Sequence, residues 1–420
     1  MNKEYLVHQF GNGSDIYSVS FNGCKYIAPL DYVKTDTIKY FDGRNSINNA
    51  FIAIAKGYNT SPSDSRAREG FEIFIKWLID KGVLTLSHTP LKGRGNRVSG
   101  EQGKCYPFLL SIEVTSACNL RCRHCYKEAG FLGASGHMDY EKFHEIIEFF
   151  KHKTPYINLT GGEAMTHPRI FDMINLVSSH FTTIVLSNGY GIGSMSDELL
   201  KNMPFTQLTL YGASKEDYNR KVGNSAGFDN FVSAVRALVR NDIDFMMAIN
   251  LTKGVVMELD ACLNLLCSLS VRRAKFSMAT NFGRQINNEQ RSDWVFTLEE
   301  KKQIAQSLAK YKDDLSEKIN LEIFTEEDVT DFEVRKHNKK TFCSLSCFAG
   351  RGFMTISEKG ILRPCTFLPE EIFSLGDLRD CSQNILGGVG FDFSAMLTKY
   401  EQYLESQGLS FEDIECSGFR

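Results

Sequence analysis

The chain has 420 residues, of which 42% are hydrophobic and 24% are charged, and its formal net charge is −3. This composition is ordinary for a globular protein and excludes a chain that is mainly disordered. No apolar run of about 18 residues occurs and the N-terminus is polar, so the sequence predicts a cytoplasmic protein without a membrane segment. The nearly neutral charge gives no reason to expect a nucleic acid partner.

The first predicted elements form a hairpin followed by short helices. An alternating stretch over residues 17–28 contains Asn22-Gly23, a dipeptide typical of a hairpin turn. Apolar residues at helical spacing then predict helices over 47–55 and 70–80. A hairpin combined with short helices predicts a small winged-helix module.

Six apolar or β-branched runs, separated by amphipathic stretches, come next. They cover residues 108–115, 156–160, 182–186, 207–211, 244–251 and 274–279. Regular alternation of strands with helices predicts a parallel sheet, either open or curved into a partial (β/α)6 barrel of the TIM type. Ligands bind at the carboxyl ends of the strands in such sheets, and most of the unusual residues of this chain follow a strand end.

The predicted organisation is therefore α/β with four parts. A winged-helix module covers residues 1–90 and a Gly-, Arg- and Lys-containing linker covers 91–107. The partial barrel covers 108–312, and a cysteine-bearing extension covers 313–420. The expected fold class is thus a barrel with an N-terminal module and a C-terminal metal-cluster extension.

Seven of the twelve cysteines fall in two groups, which points to metal because disulfide frameworks suit small secreted domains. Cys118, Cys122 and Cys125 directly follow the first barrel strand, and soft thiolates suit an iron–sulfur or zinc centre. Three ligands leave one metal coordination position open, as catalysis at a metal requires. Two alternatives remain, namely a zinc site with His124 as fourth ligand and a single helix face, because the spacing i, i+4, i+7 is also helical.

The Cys-x3-Cys-x2-Cys spacing after a first barrel strand resembles the radical S-adenosylmethionine superfamily. The resemblance implies that the three thiolates hold a [4Fe–4S] cluster, whose open iron binds the amino and carboxylate groups of S-adenosylmethionine (SAM). It also implies reductive cleavage of SAM to a 5′-deoxyadenosyl radical, which abstracts hydrogen from a substrate.

Two further motifs are similar to those of the superfamily and follow the second and third strands. The resemblance implies that Gly161 and Gly162 let the backbone approach the ligand, and that the Glu163 carboxylate accepts a hydrogen bond from the SAM ammonium. Ser187-Asn188 is similar to the position that binds the ribose or the methionine carboxylate. Taken singly, each motif is also consistent with an ordinary turn.

A basic residue near the end of the fourth βα unit often pairs with the methionine carboxylate in the superfamily. Arg220 or Lys221 is the candidate here, and a solvated surface charge is the alternative. Val222 stands where relatives commonly carry an arginine.

The second cysteine group resembles the auxiliary-cluster extension, called SPASM or the shorter twitch domain, of radical enzymes that act on peptides. A strand-like segment over 353–356 and a turn at Lys359-Gly360 predict a hairpin that leads to the third cysteine. The resemblance implies one auxiliary [4Fe–4S] cluster, and a structural zinc site is the alternative. The expected ligands are Cys343, Cys347, Cys365 and Cys416, with Cys381 as the substitute for the last.

The N-terminal region resembles the precursor-peptide recognition element of enzymes that modify ribosomally synthesised peptides. The resemblance implies that an extended leader peptide adds as a strand to the hairpin edge. A helical appendage that merely caps the barrel is the alternative.

Together these resemblances predict a radical SAM maturase that modifies a precursor peptide, with ferredoxin or flavodoxin as electron donor. A sactionine-type thioether is the expected product, and epimerisation or a carbon–carbon crosslink is the alternative within the same class. A zinc-stabilised peptide-binding protein without catalysis is the alternative from a different class.

Overall fold

The computed structural model describes most of the chain. The described residues are 5–10, 13–20, 23–88, 98–104, 106–127, 129–131, 136–278, 295–330, 349–350, 352–377, 393–406 and 408. They divide into two compact units, one built from residues up to 108 together with 152–155 and the other from most of the chain after 108. Among these residues, no helix combines the length and apolar composition that crossing a bilayer requires.

The first unit is a four-stranded sheet with three helices. Its strands are β1 (Tyr5–Phe10), β2 (Gly13–Ser20), β3 (Gly23–Asp31) and β4 (Val98–Gly100), in the order β3-β2-β1-β4. Its helices are α1 (Tyr32–Lys39), α2 (Ile47–Gly57) and α3 (Ser65–Asp80). Asp64 caps α3 by accepting hydrogen bonds from two backbone amides, and Gly82 follows the helix with φ +72°, the left-handed conformation of a helix stop.

The predicted hairpin is confirmed, because β2 and β3 pair antiparallel with Ser20 opposite Gly23. Two strands of this sheet were not predicted. Strand β1 pairs with β2, and β4 pairs in parallel with β1 although it lies inside the predicted linker. A three-residue strand whose partner lies about 90 residues away carries too little local pattern to be recognised.

The second unit contains a ten-stranded sheet. Its strands are β5 (Leu109–Thr115), β8 (Tyr156–Gly161), β9 (Thr182–Ser187), β10 (Phe205–Leu210), β11 (Phe245–Leu251), β12 (Arg273–Met278), β13 (Asn320–Glu322), β14 (Phe353–Ile356), β15 (Ile361–Arg363) and β16 (Gly376–Asp377). A separate two-stranded sheet pairs β6 (Ala117–Cys118) with β7 (Gly130–Phe131). Its helices are α4 (Tyr140–Phe150), α5 (Ile170–Ser178), α6 (Asp197–Lys201), α7 (Lys215–Val222), α8 (Gly227–Arg240), α9 (Lys253–Met257), α10 (Leu259–Ser268), α11 (Leu298–Asp314), α12 (Glu370–Phe373) and α13 (Phe393–Ser406), with 3-10 turns at Ala164–Thr166 and Ile192–Ser194.

The six predicted barrel strands are confirmed to within two residues as β5 and β8 to β12. They are neighbours in the order β12-β11-β10-β9-β8-β5, and every pair is parallel. The result is a mixed α/β fold with a central parallel sheet, consistent with a partial barrel. One apolar core joins the sheet to the helices, since Leu208, Met247 and Ala274 on strands and Phe231 and Leu263 on helices are at most 2% exposed.

The C-terminal hairpin is also confirmed, because β14 and β15 pair antiparallel. The sequence did not predict where this hairpin would lie. Strand β14 pairs in parallel with β5, the strand that leads into the first cysteine group. The segment from Phe353 to Phe367 therefore lies beside the strand end that carries those cysteines.

Candidate active site

A cavity of about 540 Å³ lies at the carboxyl ends of the parallel strands. It brings together the three cysteines of the first group and all the predicted SAM residues except Arg220. These are Cys118, Cys122, Cys125, Gly161, Gly162, Glu163, Ser187, Asn188 and Lys221. Their convergence follows from the topology, because the ends of adjacent parallel strands meet at one edge of the sheet.

The loop that carries Cys118, Cys122 and Cys125, here called the cysteine loop, is anchored by its backbone. The amides of Arg121 and Arg123 donate hydrogen bonds of 2.8 and 3.2 Å to the last carbonyls of α7. Residues 119–127 contain no helix, so the alternative of a helix face is wrong. None of the three cysteines forms a disulfide, and their side chains are buried or partly buried.

Two of the sulfurs already accept hydrogen bonds. The backbone amide of Leu120 lies 3.4 Å from Cys118 Sγ, and that of Ala129 lies 3.4 Å from Cys125 Sγ. Such donors stabilise the negative charge of thiolates bound to a metal cluster. His124, the fourth ligand of the zinc alternative, packs its ring against Tyr211 at 4.9 Å between centroids. Within the described part of the chain, no three His, Cys, Asp or Glu side chains are grouped to hold a single metal ion.

Gly161 and Gly162 are required by the close approach of two strand ends. Gly161 has φ +150°, and a Cβ atom there would lie 2.3 Å from the carbonyl oxygen of Thr115. A Cβ atom at Gly162 would lie 2.2 Å from the carbonyl oxygen of Ala117. The glycines thus let the turn after β8 contact the start of the cysteine loop, a structural role in addition to the predicted approach to a ligand.

Glu163 is a buried carboxylate at the cavity wall, only 2% exposed. One of its oxygens accepts from Ser187 Oγ at 2.7 Å and from the Met165 amide at 3.1 Å. The other accepts from the Asn188 amide at 2.7 Å. Burial nevertheless raises the pKa of Glu163 to about 7, because the hydrogen bonds offset only part of the desolvation.

Asn188 connects this carboxylate to the cysteine loop. Its side-chain amide donates to Asn119 Oδ1 at 2.8 Å and lies 3.9 Å from Cys118 Sγ. Asn119 is held from its other side, since the Asn224 side chain donates to its carbonyl at 2.8 Å. Glu163, Asn188 and the cysteine loop therefore form one connected polar wall.

The two basic candidates on α7 differ in position. Lys221 lines the cavity with a side chain that is 19% exposed, whereas the Arg220 side chain is 67% exposed and lies outside the lining. Both are paired with the buried Asp217 carboxylate. Val222, for which the resemblance suggested an arginine, is fully buried in the apolar core and does not line the cavity.

The sequence interpretation missed several residues of the cavity. Tyr126 and Lys127 line it directly after the last cysteine of the loop, and Phe353 and Phe367 line it from the C-terminal segment. Polar side chains also line it from inside the strands, among them Lys275 on β12. A charged residue inside a predicted strand of the sheet was the signal that could have found Lys275.

Of the second cysteine group, Cys365 lies within the described residues. It is partly buried, and its sulfur accepts from the Phe367 amide at 3.5 Å. Its neighbours Thr366 and Phe367 line the cavity. The other predicted ligands, Cys343, Cys347, Cys416 and the substitute Cys381, lie outside the described residues.

Comparison with known proteins identifies the chemistry of this unit. Residues 112–266 match the model of the radical SAM superfamily, so this part of the chain is a radical SAM domain. The match contains the cysteine loop and every predicted SAM residue. The chain is accordingly a radical SAM enzyme.

Two similar proteins, AlbA and SuiB, match this chain along most of its length. The antilisterial bacteriocin subtilosin biosynthesis protein AlbA of Bacillus subtilis (strain 168) is 23% identical over 394 residues, covering 90% of this chain and 82% of AlbA. The crystal structure of Streptococcus suis SuiB bound to S-adenosylmethionine has a TM-score of 0.62 at 13% identity, covering 100% of this chain and 99% of SuiB. The structure of SuiB bound to precursor peptide SuiA has a TM-score of 0.58, covering 87% and 83%. At this identity the two structures establish a shared fold.

Proposed function

We propose that this radical SAM enzyme modifies a ribosomally synthesised precursor peptide. The observation that carries the proposal is the cavity in which the cysteine loop, Glu163 and Lys221 meet a wall from the C-terminal segment. The similarity of the chain to AlbA and SuiB along most of its length supports a peptide substrate. A zinc-stabilised scaffold accounts less well for a buried carboxylate and a cation beside three thiols.

Cys118, Cys122 and Cys125 would hold the [4Fe–4S] cluster, and the N–H donors to two of these sulfurs fit that role. When bound, the cluster and SAM supply the 5′-deoxyadenosyl radical that abstracts hydrogen. Glu163 would accept from the SAM amino group and Lys221 would pair with the SAM carboxylate. The aromatic wall of Tyr211, Phe353 and Phe367 would exclude water from the reacting carbon.

For the product, we propose a thioether between a cysteine sulfur and a carbon of the core peptide. This choice rests on an auxiliary [4Fe–4S] cluster in a SPASM- or twitch-like domain over 313–420, with Cys365 among its ligands. Cys365 precedes two residues of the cavity wall, so such a cluster would lie near the substrate. Epimerisation and a carbon–carbon crosslink are the other outcomes of the same chemistry, and ferredoxin or flavodoxin would supply the electron.

For residues 1–90, we propose a winged-helix module that binds the leader peptide. Among the described residues, β3 pairs only with β2, so its outer edge is available for strand addition. Pro29 within β3 suits an edge strand, because proline cannot donate to a second neighbour. Residues 91–107 would connect this module to the barrel over 108–312, although 98–100 belong to its sheet.

The test is anaerobic reconstitution followed by incubation with SAM, a strong reductant and a cysteine-containing precursor peptide. We expect about eight irons with sulfide per chain, deoxyadenosine formation, and a peptide that has lost two hydrogens. A peptide whose mass is unchanged in ordinary water, but which gains deuterium when the reaction is run in heavy water, would indicate epimerisation. Tightly bound zinc without deoxyadenosine would contradict the proposal.

Removal of the leader should lower the rate much more than removal of any single core residue outside the modified site. Leader binding raises the local concentration of the core peptide, so we expect kcat/KM for a leaderless core to fall at least about 100-fold. The measurement is steady-state product formation with and without the leader, and with leader added as a separate chain. Equal kcat/KM values for the two peptides would refute leader recognition.

Lys221→Met should raise the KM for SAM about tenfold, because it removes a partly buried cation from the cavity. Arg220→Met is the matched control and should change this KM less than about twofold, since that side chain is mostly exposed. Deoxyadenosine formation at varied SAM concentration measures both. A larger effect for Arg220 would reverse the assignment.

A further inference from the structure

Glu113 is the buried centre of a network of charges that the proposed chemistry does not use. It lies on β5 and is 1% exposed. Its Oε2 atom accepts from Lys127 Nζ at 2.6 Å and from Arg363 Nη2 at 2.7 Å, and its Oε1 atom accepts from Thr366 Oγ1 at 3.2 Å. Lys127 also pairs with Glu358 at 2.8 Å, which makes the network neutral. We call these five residues the Glu113 network.

The network joins two segments that are distant in the sequence. Lys127 lies two positions after Cys125 at the end of the cysteine loop. Glu358, Arg363 and Thr366 belong to the C-terminal segment, and the last two flank Cys365. One carboxylate on β5 therefore contacts both cysteine-bearing segments.

The same two segments supply one wall of the cavity. Tyr126 and Lys127 line it from the cysteine loop, while Phe353, Thr366 and Phe367 line it from the C-terminal segment. Tyr126 strengthens the connection, because its hydroxyl hydrogen-bonds with Thr366 and its ring packs edge-on against Phe367 at 5.3 Å. The shape of this wall depends on how the segments are held together.

Stability alone does not account for two buried and two partly buried charges in one network. Well-packed apolar side chains of similar volume are often as stabilising as a buried ion network, because desolvation offsets most of the Coulomb attraction. Directed charge-assisted hydrogen bonds do fix relative positions, and the guanidinium of Arg363 is held from a second side by the Leu368 carbonyl at 2.9 Å. Precise placement of the wall is what the network adds.

We infer that Glu113 is a positioning residue, which fixes the C-terminal segment against the cysteine loop and so sets the substrate wall of the cavity. The inference rests on the proposed peptide modification, but it concerns only this wall. The residues proposed to bind SAM, Glu163 and Lys221, have no hydrogen bond or ion pair to the Glu113 network among the contacts described above. Loss of the network should therefore separate SAM cleavage from productive use of the radical on the peptide.

The test compares wild-type enzyme with Glu113→Gln, which replaces one carboxylate oxygen by an amide that faces a cation. We expect peptide-independent deoxyadenosine formation to stay within about twofold of wild type, and the reduced, SAM-bound enzyme to keep its electron paramagnetic resonance spectrum. The yield of modified peptide per deoxyadenosine should fall at least about tenfold, since a misplaced wall misorients the substrate. Asp242→Asn, in an ion pair whose two side chains are 65% and 85% exposed, is the matched control and should leave this yield unchanged.

Wild-type enzyme that yields deoxyadenosine but no modified peptide would refute the proposed function and not this inference. With an active wild type, an unchanged yield in Glu113→Gln would overturn the inference. An equal loss of both activities would also overturn it, because that result indicates a general structural role. Should Glu113→Gln be insoluble, Thr366→Val removes one neutral bond to the same carboxylate. Its yield should fall about two- to threefold, and an unchanged yield would overturn the inference.

Discussion

Cys122→Ala is expected to abolish deoxyadenosine formation, with a loss of more than about 1000-fold, because all three thiolates are needed to hold a cluster that has one iron open for SAM. Iron content should fall by about four atoms per chain, since the cluster would not assemble with one ligand missing. The measurements are iron and sulfide analysis and chromatography of deoxyadenosine after anaerobic reduction.

Two control substitutions separate this cluster from the rest of the chain. Cys267→Ala changes a partly buried cysteine on α10 that does not line the cavity, and should leave deoxyadenosine formation unchanged. If Cys365 binds the proposed auxiliary cluster, Cys365→Ala should also lose about four irons but keep peptide-independent deoxyadenosine formation, because that cluster would not be needed to cleave SAM. Full iron content and activity in Cys122→Ala would refute the cluster assignment.

Glu163→Gln is expected to lower kcat/KM for SAM about 10- to 100-fold. The carboxylate oxygens accept hydrogen bonds from Ser187 Oγ and from the amides of Met165 and Asn188. An amide nitrogen in place of one oxygen would face a donor, and a charge-assisted hydrogen bond is worth about 1.5–3 kcal/mol. Steady-state kinetics at varied SAM measure the effect, and wild-type kcat/KM in this variant would exclude a role for the carboxylate in binding SAM.

The raised pKa of Glu163 gives a pH dependence with a definite sign. With a pKa of about 7 in the folded protein, the group is mostly protonated at pH 6 and mostly ionised at pH 8. Only the ionised form attracts the SAM amino group as an anion, so the KM for SAM should fall about tenfold from pH 6 to pH 8 and level off above that range. Glu163→Gln should lack this pH dependence, and a profile that persists in the variant would assign it to another group.

The same pKa predicts the direction in which stability changes. The folded state binds the Glu163 proton more tightly than the unfolded chain, whose glutamates titrate near 4.5. The stabilisation that Glu163 contributes to the folded state is therefore complete below about pH 4.5 and is lost as the pH rises through about 7. Glu163 should thus bind SAM best at the pH where it contributes least to the stability of the folded state.

The sequence by itself determined the elements whose signal is local. Six barrel strands were predicted to within two residues, because apolar runs bounded by amphipathic helices carry their own period. The cysteine loop, Gly161 to Glu163 and Ser187-Asn188 were placed at strand ends by their order alone, and parallel topology then required them to converge. Spacing within a short segment is enough for such assignments.

Tertiary structure alone decided which residues meet across long separations. The carboxylate of Glu113 contacts Arg363, 250 positions away, and no local pattern marks either residue as the partner of the other. That Lys221 and not Arg220 lines the cavity depended on which side of α7 faces it. Strands β4 and β14 acquired their partners from pairing with β1 and β5, since hydrogen bonds between strands depend on which edges the folded chain brings together.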